Sequence, residues 1–257
     1  MNDQFLLRNQ VGSILYLTLN NQNQRNSLSR RLLTELKESF DDTQNDPTVR
    51  VVVVRSEGPA FSSGHDLHEL INRDTESYSS LFAACTSVME AIRFSPKPVI
   101  AEVQGIATAA GCQLVATCDL AIASESALFA TPGVQIGLFC TTPGVAISRT
   151  IQTKKAMEML LTGAPITAKE AVECGLINRA VPGDKLKEEV EVLARKISAS
   201  SGYTISLGKS AFYRQIEMDI PDAYQMAEKV MVENLLSPDA REGITAFLEK
   251  RIPRWVP

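Results

Sequence analysis

Cysteine is scarce in this chain and carries no pattern. Cys85, Cys112, Cys118, Cys140 and Cys174 make an odd count with no CxxC pair. A disulfide framework is therefore excluded as the basis of the fold, and a reducing compartment, read here as the cytoplasm, is expected. No apolar run reaches the roughly 18–20 residues that a membrane-crossing helix needs, so no membrane is expected as a partner. Met1 to Arg8 offers neither the basic start nor the apolar run of a signal peptide, and it lacks the Arg- and Ser-rich character of a transit peptide. Positive charge is not in excess: 26 Lys and Arg against 30 Asp and Glu leave a net charge of −4. That balance argues against nucleic acid as the main partner, while leaving room for a local basic pocket. The nucleophile elbow, the P-loop and the dinucleotide fingerprint are all missing. His65 and His68 are the only histidines. They stand beside Asp66 and Glu69 without a third ligand cluster or an HExxH pattern, so no metal is expected.

What remains is the composition of a globular protein, 44% hydrophobic and 22% charged over 257 residues, enough to bury a sizeable core. Strands are expected at 13–19, 49–55, 98–104 and 176–181, with residues 119–131 mostly extended. Ser29 reads as the N-cap of a helix whose apolar face is Leu32, Leu33, Leu36 and Phe40. Residues 57–70 read as a Gly/Ser-rich turn sliding into a charged helix, followed by a helix at 75–94. Short helices are expected near 145–152, 154–161 and 168–174, the last opened by a Thr167/Glu170 capping box. Beyond Pro182-Gly183 only helices follow. The chain thus divides into an α/β core, 1–195, and a helical tail, 196–257. The tail's apolar residues, such as Tyr224, Met231 and Leu235, either pack on the tail's own core or meet another subunit.

Two turns share one design. Phe61-Ser-Ser-Gly-His-Asp-Leu67 and Ala107-Thr-Ala-Ala-Gly-Cys-Gln113 each follow a strand, use small residues and open a helix. They are either ordinary strand-to-helix connections or, if they lie side by side, a pair of backbone donors converging on one oxygen. An oxygen so held is stabilised as it takes on negative charge, and losing one donor costs about 3 kcal/mol of barrier. A histidine of the first turn could act as a base, since free imidazole titrates near neutrality. Solvated polar residues at a helix start explain the same pair. Cys112 and Cys118 read as small core residues.

The two turns, together with Arg25-Asn-Ser-Leu28, Lys97-Pro-Val-Ile-Ala101, Phe129-Ala-Thr-Pro132, Leu161-Thr-Gly163 and Glu242 through Arg251, run in one order along nearly the whole chain. In that combination the sequence resembles the crotonase superfamily (enoyl-CoA hydratase/isomerase). Ser62 to Leu67, Ala107 to Ala116 and Gly137 to Gly144 narrow the resemblance to its enoyl-CoA hydratase domain-containing branch. The resemblance implies a crotonase-like β-β-α spiral core with a C-terminal helical region, assembled as homotrimers or homohexamers. It implies an acyl-CoA ligand from lipid metabolism, with no separate cofactor: the coenzyme A thioester is itself substrate or ligand. Carried over residue by residue, the oxyanion donors are the N–H groups of His65 and Ala110. Asn23, Gln24 and Arg25 fall at the nucleotide end. His65, Asp66, Leu67 and His68 run along the pantetheine, and Phe247 and Lys250 reach CoA from the tail, often a neighbour's.

One departure bears on chemistry. The two glutamates of a family hydratase are replaced by Gln113 and Gly133, neither of which exchanges a proton. General acid–base catalysis contributes roughly 10²–10⁴-fold, so little hydration is expected. Ala109-Ala110 replaces a Gly-Gly pair, tolerable if the backbone there is helical. Three readings follow from the resemblance: an enzyme of the family doing another acyl-CoA reaction through His65, His68, Asp66, Glu69 or Cys140, a non-catalytic acyl-CoA-binding protein, or a weak hydratase. Gln113→Glu with Gly133→Glu is expected to restore hydration if the oxyanion hole is intact.

Overall fold

The computed structural model describes residues 4–256. Met1 to Asp3, the start of the stretch read against a signal peptide, and Pro257 lie outside the described residues. Leu6–Val11 (β1) and Ile14–Leu19 (β2) form an antiparallel hairpin that turns at Gly12, φ +59°. Strand β1 was not foreseen: only Leu6 on it is buried, so it lacks the apolar alternation that marks a strand. Ser29 caps Arg30–Gln44 (α1) by accepting from the Leu32 N–H, and the predicted face of Leu32, Leu33, Leu36 and Phe40 is buried.

The chain then repeats one unit three times: Val51–Ser56 (β3), Ala60–Ser62 (β4) and Thr75–Arg93 (α2); Val99–Val103 (β5), Ile106–Thr108 (β6) and Ala110–Thr117 (α3); Leu120–Ser124 (β7), Leu128–Ala130 (β8) and Thr141–Ser148 (α4). In each, the longer strand joins a six-stranded sheet and the shorter one a four-stranded sheet. Thr153–Thr162 (α5), Ile166–Thr167 (β9), Ala168–Glu173 (α6) and Arg179–Val181 (β10) complete both sheets. Their orders are β1-β2-β3-β5-β7-β10 and β4-β6-β8-β9. Neighbours from β2 to β10 in the large sheet run parallel. This is the β-β-α spiral that the resemblance implies.

Three expectations are corrected. Residues 119–131 are not one extended run, because the exposed Glu125-Ser126 turn sends β7 and β8 into different sheets. The charged helix after the first turn is a single 3-10 turn, Leu67–Leu70, in which only Leu70 packs, half-buried, against the core, too little to extend it. Helix α4 starts at Thr141 rather than 145, because Pro143 fits the first turn, where an N–H has no intrahelical acceptor. The Thr167/Glu170 capping box is present with both of its bonds.

From β2 to β7 the large sheet is buried on both faces, which is why those strands read as runs of Val, Ile, Leu and Ala. One face packs against α1, α2 and α3. The other, through Ile14, Tyr16, Val51, Val53, Ile100 and Ile122, meets Leu186–Ser198 (α7) at Leu186, Val190 and Ala194. Helix α7 runs across residue 195, so the expected boundary falls within an element that belongs to the sheet's core. Gly202–Gln215 (α8), Ile220–Leu236 (α9) and Pro238–Leu248 (α10) follow. Among the described residues neither α8 nor α9 holds a fully buried side chain.

Candidate active site

The two turns lie against each other. Gly64 stands at φ +87°, and a Cβ there would sit 2.9 Å from the Ala109 Cβ, 3.0 Å from the Thr108 carbonyl oxygen and 3.2 Å from the Ala110 nitrogen. Just beyond, a Cβ on Gly111 would lie 2.5 Å from the Ser62 carbonyl oxygen. Only glycine permits this approach, and it brings the start of α3 onto the end of β4. Ala110 is the first residue of α3, so its N–H belongs to the donors that no helical carbonyl can reach. His65 follows Gly64, and the Gly64 carbonyl is taken by the Leu28 N–H at 2.7 Å.

Ala109 corrects one expectation. It lies outside the helix at φ +50°, ψ −118°, a conformation that L-residues resist. Its N–H donates to Ala130 O at 2.9 Å, and the Gln113 N–H donates to Ala109 O at 3.0 Å. Strand β8 and the first turn of α3 thus hold the strained residue from both sides.

Asn26, which sequence reasoning passed over, fastens the preceding loop. Its side chain donates to Glu57 O and Ala60 O, both at 2.8 Å, and accepts from the Asn21 N–H at 2.8 Å. The Ser62 hydroxyl donates to Asn26 O at 2.8 Å. The Asn inside Arg25-Asn-Ser-Leu28 is the one sequence signal for this role, since Asn tolerates the left-handed backbone it adopts there, φ +53°.

A cavity of about 880 Å³ opens over the turns. Asn23, Gln24, Arg25, His65, Asp66, Leu67, His68, Ala110 and Gly133 all line it, as does the apolar stretch Ile136, Leu138 and Phe139. Phe247 and Lys250 do not line it: they stand at the end of the helical tail, where Phe247 is 82% exposed. Gln113 is buried in α3 and is not among the lining residues.

The titratable side chains divide sharply. Burial pushes the His65 imidazole below its ordinary value, and the Leu28 carbonyl and Glu69 only partly oppose this. Leu28 O lies 3.3 Å from Nδ1, which places the proton there. Nε2 is then a bare acceptor, buried with no partner among the described residues, while the ring stacks edge-on against Phe82. Ser27 Oγ, on another cavity residue, is likewise buried and unpartnered. The Cys140 thiol is pushed up by burial, and that of Cys112 up to about 12. His68 is exposed, its Nδ1 2.8 Å from the carboxylate of Asp66.

Gly133 is more than a missing side chain. A Cβ there would fall 2.3 Å from the Leu138 carbonyl oxygen and 2.7 Å from Cys140 Sγ. The loop from Gly137 to Cys140 fills the space that a glutamate would need, so the double substitution expected to restore hydration does not fit this backbone.

The model of the family described as enoyl-CoA hydratase/isomerase matches residues 9–256. The chain belongs to that family. Human enoyl-CoA hydratase domain-containing protein 3, mitochondrial, is 47% identical over 247 residues, 96% of this chain and 82% of that protein. The crystal structure of the human domain-containing protein 3 superposes with a TM-score of 0.96 at 46% identity, over 98% of this chain and 100% of that one. That of an enoyl-CoA hydratase from Mycobacterium smegmatis gives 0.96 at 48%, over 98% and 99%. The human, Xenopus and rat relatives are named mitochondrial, which overturns the cytoplasmic expectation for this hydratase/isomerase-family chain. The inference failed because free thiols report a reducing setting and cannot tell one reducing compartment from another.

Proposed function

We propose that this protein binds an acyl-CoA thioester in the cavity over the two turns and polarises its carbonyl with the N–H groups of His65 and Ala110. The observation that supports the reading is the close approach of Gly64 to Ala109 and Ala110, which sets the residue before His65 against the first residue of α3. Backbone donors fixed in advance favour the charge that develops on a thioester oxygen as an enolate forms. The cavity's apolar lining and its volume suit an acyl chain and pantetheine arm. Efficient hydration is not part of the proposal, because Gln113 and Gly133 supply no carboxylate. Phe247 and Lys250 enter the reading only through assembly: as exposed tail residues they would complete the site of a neighbouring copy in a homotrimer or homohexamer.

The sealed position of Gly133 favours a second reading, acyl-CoA binding without turnover. A panel of acyl-CoA thioesters, followed by thermal shift and by mass spectrometry of the products, separates the two. A raised melting temperature with a new acyl product supports the enzyme. A raised melting temperature with every thioester recovered intact supports the binding protein. If no acyl-CoA shifts the melting temperature at saturation, both readings fail.

A further inference from the structure

A second cavity, of about 570 Å³, lies where the helical tail meets the core. Its core side carries Arg50 and Lys97, and its tail side Tyr203 and Glu233, with Pro96, Pro98 and Leu236 among its apolar walls. Nothing in the acyl-CoA reading uses this cavity, and it shares no lining residue with the first.

The two cations are under-used. The Arg50 guanidinium donates from one nitrogen to Ser200 O at 3.0 Å, and Lys97 Nζ donates to Asp46 O at 3.0 Å. An Arg carries five N–H donors and a Lys three, so most of their capacity is unspent. Among the described residues neither forms an ion pair with a carboxylate within 4.0 Å. Glu233 and Asp239 bring negative charge to the same cavity, but neither is paired with Arg50 or Lys97, and each bonds elsewhere. Asp239 accepts from the Ser201 hydroxyl and, at 2.8 Å, from the Val256 N–H. Glu233 accepts from the Tyr203 hydroxyl at 3.3 Å, and Asp46 accepts from the N–H and hydroxyl of Thr48. Lys97 is held below its ordinary value, first by burial and then by Arg50, with Asp46 opposing. Two like charges are thus close enough to feel each other. The placement also has a steric requirement: a Cβ on Gly202 would come within 2.7 Å of the Arg50 guanidinium carbon, so glycine at the start of α8 admits the side chain.

We propose that this seam cavity is a binding site for a small oxyanion, a phosphate or a carboxylate, held between Arg50 and Lys97. Charge-assisted bonds from a guanidinium and an ammonium suit either group, and a bound anion would relieve the repulsion between the two cations. Because both residues also bond carbonyls on the far side of the seam or on α1's exit, occupancy would tighten the tail against the core.

The test uses the intact chain at constant ionic strength, with inorganic phosphate and butyrate as separate probes and chloride as the control. A saturable rise in melting temperature with either probe, absent with chloride, is expected. At ten times the dissociation constant the native state gains about elevenfold over the unfolded one. Response to phosphate alone, to butyrate alone or to both identifies the oxyanion accepted. The Arg50→Met, Lys97→Met variant should lose that response yet keep its response to an acyl-CoA. If that variant fails to fold, Lys97→Arg, which keeps the charge, should retain the response and Arg50→Gln should lose it. No response in the wild-type chain, an equal one in chloride, or one that survives loss of the cations overturns the proposal.

Discussion

Gly64 is asked for two things at once, a positive φ and an absent Cβ, and each has a cost if denied. Gly64→Ala would force its methyl into Ala109 and Thr108 from a conformation that alanine resists. A loss of about 1–3 kcal/mol is expected in denaturant unfolding, together with a weaker thermal response to acyl-CoA. Gly133→Glu should fare no better, since its Cβ meets the Leu138 carbonyl oxygen at 2.3 Å. Crotonyl-CoA hydration should stay at background in Gln113→Glu/Gly133→Glu, with the melting temperature lowered. Hydratase rates in that variant would show that the Gly137–Cys140 loop yields. His65 gives stability a pH dependence whose sign is fixed. Its folded-state value lies below 6.5, so above that pH both states are neutral and its contribution is complete. As the pH falls through 6.5 the unfolded chain takes up a proton that the folded chain refuses, and stability is lost. Comparing wild type with His65→Gln across pH 7.5 to 5 should show a shallower loss in the variant; equal slopes would contradict the assignment.

Among the elements, α8 shows how a helix without one fully buried side chain is held. Lys209 reaches down from it to donate to Asp119 at 2.7 Å and to the carbonyls of Ile92 and Lys97 at 3.0 Å. Asp119 also accepts from the Tyr213 hydroxyl at 2.8 Å and the Val99 N–H at 2.7 Å. Both partners are nearly buried, with side chains 8% and 14% exposed. Lys209→Met leaves the carboxylate behind in that setting and should cost about 3 kcal/mol, as when one partner of a buried pair is removed. Faster amide exchange along α8 than along α1 would accompany it. Unchanged stability would mean that packing, not this network, docks the tail. The sequence displayed Asp119 only as the first residue of an extended stretch, and Lys209 as one more lysine on a helix. The partners are 90 residues apart, a separation over which periodicity carries no information.

At the scale of the whole molecule the tail leaves apolar surface outward: Tyr224, Met231, Leu235 and Leu236 on α9 are 56–77% exposed. A surface of this kind points to association, and light scattering on the purified protein should give a mass above 28.1 kDa. Met231→Glu with Leu235→Glu should lower that mass. A monomeric wild type would remove the neighbour's Phe247 and Lys250 from the proposed site. The sequence by itself determined the large sheet's buried strands, the caps at Ser29 and Thr167, the helical tail and the two small-residue turns. Each of these is written in neighbouring residues, as a run, a period or a cap. It also fixed what Gln113 and Gly133 cannot do, because side-chain chemistry needs no coordinates. The two- and three-residue strands of the small sheet are too short to carry a period, and β1 is too polar to show one. Only the tertiary structure decided that the turns touch at Gly64, that Ala109 is strained rather than helical, and that the space beside Gly133 is closed. Those are distances between segments far apart in the chain, set by packing that local pattern does not encode.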